Sequence, residues 1–227
     1  MDRNVPPRAV LAPPRAVPAT PPPTWAIRLY EAADEVVWAV KLTALWTLFT
    51  LAGGVLLGLG PATVTAYALA RRRVFGESFH GWPAFLAAYR RDFWRGNLLV
   101  LPLAGAGLLL VTNALYFSSL GPIGTVPRLA TLGALVALTV VAAYLLPMAA
   151  HYDLRPLACL PKASLFALTR PAASVLLLFC FTAIVFAIAT YPVLAVVAVG
   201  GWIHLDTWLC QRFFAENEAR LEAKGTS

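Results

Sequence analysis

The stretch LTALWTLFTLAGGVLLGLGPATVTAYALARRR, residues 42–73, decides the class of this chain. Its first part, residues 42–59, carries no charge, and at about 1.5 Å of rise per residue it approaches the roughly 30 Å hydrocarbon core of a bilayer. The Gly60-Pro61 pair then combines a helix stop with a helix start, because glycine tolerates a C-cap conformation and proline is favoured at the first helical position. The stretch therefore predicts two membrane-associated helices that reverse at Gly60-Pro61.

The composition of the whole chain indicates the same class. Of its 227 residues, 59% are hydrophobic and 13% are charged, whereas globular proteins average roughly 45–50% apolar and about 25% charged. A globular domain of this size has too little interior to bury so much apolar surface. The net charge of +7 fits either a nucleic-acid binder or a membrane protein with basic cytoplasmic loops, and the apolar content favours the membrane protein.

Further segments are apolar enough to cross a bilayer, and they occupy roughly residues 97–117, 129–150, 172–190 and 191–210. The last two almost touch, so Tyr191-Pro192 is predicted to be a tight turn. The second arm of the deciding stretch, residues 62–70, is short for a span. We expect an all-α transmembrane bundle with six membrane segments. The alternative has five segments, with Gly60-Pro61 as a kink within one long helix.

Basic residues set the expected orientation. They concentrate in the connections 60–97 and 150–172 and after residue 210. By the positive-inside rule, these segments and the C-terminus face the cytoplasm, in a cell membrane. Three domains are expected: a Pro/Arg-rich disordered or polyproline II tail over residues 1–24, also cytoplasmic, a transmembrane domain over residues 25–212, and a cytoplasmic C-terminal tail over residues 213–227.

Residues 82–95 predict an amphipathic helix at the membrane surface, with aromatic side chains on one face and arginines on another. Aromatic rings settle at the headgroup level, and arginines attract anionic lipid headgroups. The predicted lipid-interface residues are Arg71, Arg72, Arg73, Trp82, Phe85, Tyr89, Arg90, Arg91, Phe93, Trp94 and Arg95. Nucleic acid is not an expected partner, because an adjoining span holds this helix at the membrane. Residues 157–169 form a second, moderately amphipathic segment before a span, which suggests an internal repeat.

The sequence contains no recognisable catalytic or metal-binding motif. Three cysteines are widely spaced and form no CxxC pair: Cys159, Cys180 and Cys210. Four ionisable residues lie near span ends: His151, Asp153, His204 and Asp206. We expect all four to reach interfacial water, and the alternative is an intramembrane enzyme or ion path. We therefore predict a non-enzymatic protein with no catalytic, metal or cofactor site.

Several runs resemble, in order, the YesL-like family of bacterial membrane proteins of unknown function: LWTLFTL at 45–51, GPAT at 60–63, YALARR at 67–72, GE at 76–77 and FLAAYRRDF at 85–93. The resemblance covers roughly residues 30–210. The family signature is Gly60, Pro61, Ala62 and Thr63. The resemblance implies an accessory role in carbohydrate uptake, with permease subunits of a carbohydrate ABC transporter as partners, and it brings no established catalytic or ligand-binding residue.

The alternative function is that of a solute carrier or channel in its own right. Three features of the sequence suggest it: the apparent repeat, Pro147 within a span, and the glycine-rich hairpin.

Overall fold

The computed structural model describes residues 24–151 and 156–225, and over these residues the chain is helical with no β-strand. The eight α-helices are α1 Thr24–Ala52, α2 Leu56–Val74, α3 Gly81–Arg91, α4 Phe93–Ser119, α5 Thr125–His151, α6 Pro156–Thr169, α7 Pro171–Thr190 and α8 Ala195–Gly225. Short 3₁₀ turns at Gly121–Gly124 and Pro192–Leu194 join α4 to α5 and α7 to α8. The all-α prediction is confirmed, as is the tight turn at Tyr191-Pro192.

The chain divides into two units, residues 1–34 and 35–227. Within the first unit, the described residues form the start of α1. The predicted N-terminal tail lies, up to residue 23, outside the described residues. Part of the predicted C-terminal tail is helical, because α8 continues to Gly225. All contacts given below lie within the second unit.

Five helical segments are long and apolar enough to cross a membrane: Ile27–Ala52, Phe93–Ser119, Gly121–Ala150, Pro171–Thr190 and Pro192–Phe213. Helix α2 is not among them, since it carries Arg71, Arg72 and Arg73 in its last turn. Its 19 residues are nevertheless about 28 Å long at 1.5 Å per residue. Helix α2 therefore has the length of a sixth membrane segment without the usual composition.

The first hairpin reverses at Gly53–Val55, so the predicted reversal at Gly60-Pro61 is wrong by about two helical turns. Gly54 and Val55 adopt positive φ angles of 74° and 63°, which turn the chain, while Pro61 lies inside α2. A Cβ at Gly53 would collide with Gly58 and with the Tyr89 hydroxyl, so only glycine permits this close return. Because the chain reverses at Gly53–Val55, the second arm is the 19-residue helix α2 rather than the nine residues predicted.

Helices α1 and α2 run antiparallel along their shared length. The Trp46 indole nitrogen donates to the Thr63 hydroxyl over 3.0 Å, and further along the pair the Arg73 guanidinium meets the Glu35 carboxylate at 3.2 Å. Helix α2 also packs against α3, α4, α5 and α8, and ten of its residues are buried. It is therefore a central helix of the bundle rather than a kinked extension of α1, as the five-segment alternative required.

Helix α3 folds back along the α1–α2 hairpin. Gly81 approaches Leu45, the Phe85 ring stacks on Phe49 with centroids 4.8 Å apart, and the Tyr89 hydroxyl reaches Gly53. The predicted amphipathic helix over residues 82–95 is interrupted, because α3 ends at Arg91 and the next residues begin α4. Helix α3 is thus a packed element of the fold.

Candidate functional site

A carboxylic acid inside an apolar bundle marks the first candidate site. Asp206 on α8 is fully buried, with 0% of its surface exposed. Charged or ionisable side chains are costly inside a membrane, so they are rare there and mark functional sites or paired structural ones. The prediction that Asp206 reaches interfacial water is wrong, because α2 packs against α8 and covers it.

Asp206 is held by side chains from two helices. The Tyr67 hydroxyl of α2 donates to Asp206 Oδ2 over 2.7 Å. The Cys210 thiol, one turn further along α8, lies 3.8 Å from Asp206 Oδ1 and 3.6 Å from the Ala143 carbonyl oxygen of α5. This cluster ties α2, α5 and α8 together through buried polar groups, which must be paired to be tolerated there.

A cavity of about 280 Å³ lies beside this cluster. Its walls come from α2, α4, α5, α7 and α8 and are mostly apolar, with Leu103 and Phe181 among them. Tyr67, Thr139 and Trp202 contribute its polar side chains. The phenol that binds Asp206 thus also borders an intramembrane cavity.

His204 belongs to a different site. Although it lies two residues from Asp206, side chains two apart on a helix point to different sides. His204 Nε2 lies 3.2 Å from one oxygen of Glu35, and Arg73 Nη2 lies 3.2 Å from the other. A cleft of about 560 Å³ between α1, α2 and α8 is bordered by all three residues.

The arginines predicted at the lipid interface divide between helix capping, ion pairs and exposure. Arg71 and Arg95 donate to the carbonyl oxygens of Ala150 and Ala149 over 3.3 and 3.1 Å. These carbonyls lie in the last turn of α5, where four carbonyl groups lack an intrahelical partner, so the guanidinium groups cap that helix. Three more arginines bind carboxylates: Arg72 binds Glu77, Arg73 binds Glu35 and Arg91 binds Asp92. Arg90 is exposed.

The predicted lipid-facing aromatic face is split by α3 packing. Trp82 and Trp94 are 53% and 77% exposed, but Phe85 and Tyr89 are buried against Phe49. For Phe85 and Tyr89 the prediction is wrong, because the face that could enter lipid instead packs on α1. Burial raises the pKa of the Tyr89 phenol. Phe93 is half-buried beside Tyr89.

The signature residues form a close helix crossing. A Cβ on Gly60 would lie 2.7 Å from the Asn97 backbone, and one on Gly96 would lie 2.7 Å from the Pro61 backbone. Ala62 is fully buried, and Thr63 accepts a hydrogen bond from Trp46 while donating to the Leu59 carbonyl. The signature therefore places the α4 backbone directly on α2.

Four candidates remain from the sequence, and three of them have no described side chain. The His151 side chain and Asp153 lie outside the described residues, as does the side chain of Cys159. Cys180 is a free thiol. Over residues 24–151 and 156–225, no three His, Cys, Asp or Glu side chains are placed to hold a metal ion. The sequence pattern did not single out Tyr67 or Glu35 as site residues, because their roles depend on contacts with α8.

Comparison with known proteins gives one family match and two relatives. Residues 39–114, from α1 into α4, match the family described as "Protein of unknown function, DUF624". The chain is 33% identical over 145 residues to "Uncharacterized protein YesV" of Bacillus subtilis (strain 168), covering 63% of this chain and 70% of that protein. It is 28% identical over 161 residues to "Uncharacterized protein YesL" of the same organism, covering 68% of each. No solved structure matches the chain.

Proposed function

The chain belongs to the DUF624 family, and from this premise we propose that it is a non-enzymatic multi-pass protein of the cell membrane that assists a carbohydrate ABC transporter. Both termini then face the cytoplasm. The observation that carries the proposal is the exposure of two spans: in both α4 and α7, only 11% of the membrane-spanning window is buried within the protein. These helices offer long apolar faces to lipid or to helices of a partner.

Exposed side chains define these faces. Leu108 on α4 and Phe179 and Phe186 on α7 are each about 70% exposed. Helices associate in membranes through close packing and interhelical hydrogen bonds, so a permease helix can replace lipid here at little cost. The interior favours an accessory protein over an open channel, because bulky side chains such as Tyr144 and Leu145 are packed inside the bundle.

The proposal extends to lipid headgroups at the exposed remainder of the predicted interface. Trp82, Arg90 and Trp94 are exposed and combine amphipathic rings with positive charge. Such residues favour contact with anionic headgroups.

Site-specific photo-crosslinking tests the accessory role. A photoreactive phenylalanine analogue replaces Phe179 in the natively expressed protein, and the matched control carries it at Phe181, which packs on Trp202 with ring centroids 5.2 Å apart. We expect irradiation to attach a carbohydrate-permease subunit at position 179 and not at 181. If no transporter subunit is attached at either position, and none copurifies, the accessory role is wrong.

A solute carrier is the second candidate, and the cavity beside Tyr67 and Trp202 favours it. Purified protein in liposomes would then show saturable uptake from a panel of sugars, ions and amphiphiles. Tyr67→Phe would reduce that uptake, because it removes the hydroxyl shared by the cavity and Asp206. Absence of uptake across the panel excludes this candidate.

A further inference from the structure

The cleft between α1, α2 and α8 has a polar rim and an apolar wall. Its volume is about 560 Å³. Val36, Ala39 and Val197 line the wall, while the rim carries Glu35, Arg73, His204 and Trp208. Helices α1 and α8 touch at Gly200, whose amide donates to the Thr43 hydroxyl over 2.9 Å, so the cleft is bounded by a fixed helix crossing.

The rim carries charges of both signs. Glu35 uses one carboxylate oxygen for Arg73 and the other for His204, each at 3.2 Å. The Arg212 guanidinium lies 4.4 Å from the ring centroid of Trp208 and adds a second positive charge. Arg73 and Glu35 balance each other in the lining, so Arg212, which lies beside the cleft on Trp208, supplies a positive charge that favours an anionic group.

A second cavity lies beside this cleft, between α7 and α8. Its volume is about 240 Å³, and its walls are apolar, with Ile184, Ile188 and Leu194 among them. The two spaces share Val197 and Gly201. Charged at one end and apolar at the other, the two neighbouring spaces together have the polarity of a phospholipid.

We infer that this two-part cleft binds one anionic phospholipid, with its phosphate at the polar rim on the side of Arg212 and an acyl chain between α7 and α8. The inference goes beyond the accessory role and does not depend on it. Gly201 lines both spaces, and a Cβ there would meet nothing within 4 Å. The backbone at this position therefore accepts a side chain, and the further atoms of a leucine would occupy the cleft.

Native mass spectrometry of the purified full-length protein tests the site, with phosphatidylglycerol as the probe. Gly201→Leu is the blocking variant. Gly133→Leu is its matched control, because position 133 is exposed on α5 and equally open. We expect wild type and Gly133→Leu to retain one phosphatidylglycerol and Gly201→Leu to lose it. Equal retention by all three proteins overturns the inference, and so does loss from the control.

A charge variant tests the headgroup separately and avoids the packed interior. Arg212 is exposed, and Arg212→Gln is expected to weaken phosphatidylglycerol retention about fivefold, since one basic residue near a lipid surface contributes about 1 kcal/mol. Phosphatidylcholine should bind more weakly than phosphatidylglycerol, and excess inorganic phosphate should not displace the lipid. Equal binding of both lipids, or displacement by phosphate alone, contradicts an anionic phospholipid site.

Discussion

Helices α2 and α7 contrast in composition and in burial: the more apolar helix is the more exposed one. Helix α7 is the most apolar of the candidate spans, yet only Ser174 and Leu177 are buried among its 20 residues. Helix α2 carries glycine, proline, threonine and three arginines, yet ten of its 19 residues are buried. In a bilayer the solvent is apolar, so the helix that faces lipid must be apolar and the sheltered helix need not be.

The largest expected effect comes from filling the crossing of α2 and α4. Gly96→Val places side-chain atoms within 3 Å of the Pro61 backbone, which cannot move aside as a flexible side chain can. We expect a loss of about 3 kcal/mol in the free energy of unfolding, at the upper end of the usual range for overpacking. Gly105→Val, also on α4 but with open space around it, should cost little. SDS titration in mixed micelles measures the free energy of unfolding of both variants. Equal losses would contradict a close crossing of α2 and α4.

A matched leucine pair tests the burial contrast directly. Leu69 on α2 is 1% exposed and Leu176 on α7 is 42% exposed. We expect Leu69→Ala to cost about 2 kcal/mol through the cavity it leaves, and Leu176→Ala to cost less than about 0.5 kcal/mol because lipid refills the space. The same titration compares them. A larger loss at Leu176 than at Leu69 would reverse the assignment of inside and outside.

The contact between Tyr67 and Asp206 sharpens the account of α2. Tyr67→Phe leaves a buried carboxyl without its tyrosine donor and should cost about 1–1.5 kcal/mol, near the upper range for hydrogen bonds between membrane helices. Asp206→Asn and the double variant complete a thermodynamic cycle. Coupling near zero in that cycle means that the two side chains do not bind each other.

The smallest expected effect is a gain in stability. Val55 has a φ of 63°, a conformation that is unfavourable for a β-branched residue. Val55→Gly should therefore stabilise the protein by about 1 kcal/mol, measured by thermal unfolding in detergent, with Val55→Ala as a control that keeps the Cβ. The sign of the change in the free energy of unfolding is decisive. In a helix that continued to Gly60, the same glycine would destabilise the protein by about 1 kcal/mol.

Much of the fold followed from sequence, and the errors have a common cause. The spans and the turn at Tyr191-Pro192 depend on local composition, which the sequence shows directly. The reversal at Gly53–Val55 depends on contacts with α3, which the strong local signal of Gly60-Pro61 obscured.

The aromatic face of α3 shows why the candidate site residues were harder to predict than the spans. An aromatic amphipathic helix has the same pattern whether its face enters lipid or packs on protein. The burial of Phe85 could therefore not be distinguished from lipid contact. Likewise, the sequence around an aspartate near a span end does not show which helix covers it. Asp206 was therefore expected to reach interfacial water, whereas Tyr67 of α2 binds it.

The central claim is that α2 is a sixth membrane-crossing helix, sheltered by its neighbours. Val55 directly precedes α2 and Ser78 lies four residues beyond its end, and both are exposed. The helix between them is about 28 Å long. Single cysteines at these positions, in a background with Cys159, Cys180 and Cys210 replaced by alanine, can be challenged in intact cells with a membrane-impermeant maleimide. The account predicts that Val55→Cys labels in intact cells and Ser78→Cys labels only after lysis. Labelling of both from the same side would show that α2 does not cross the membrane.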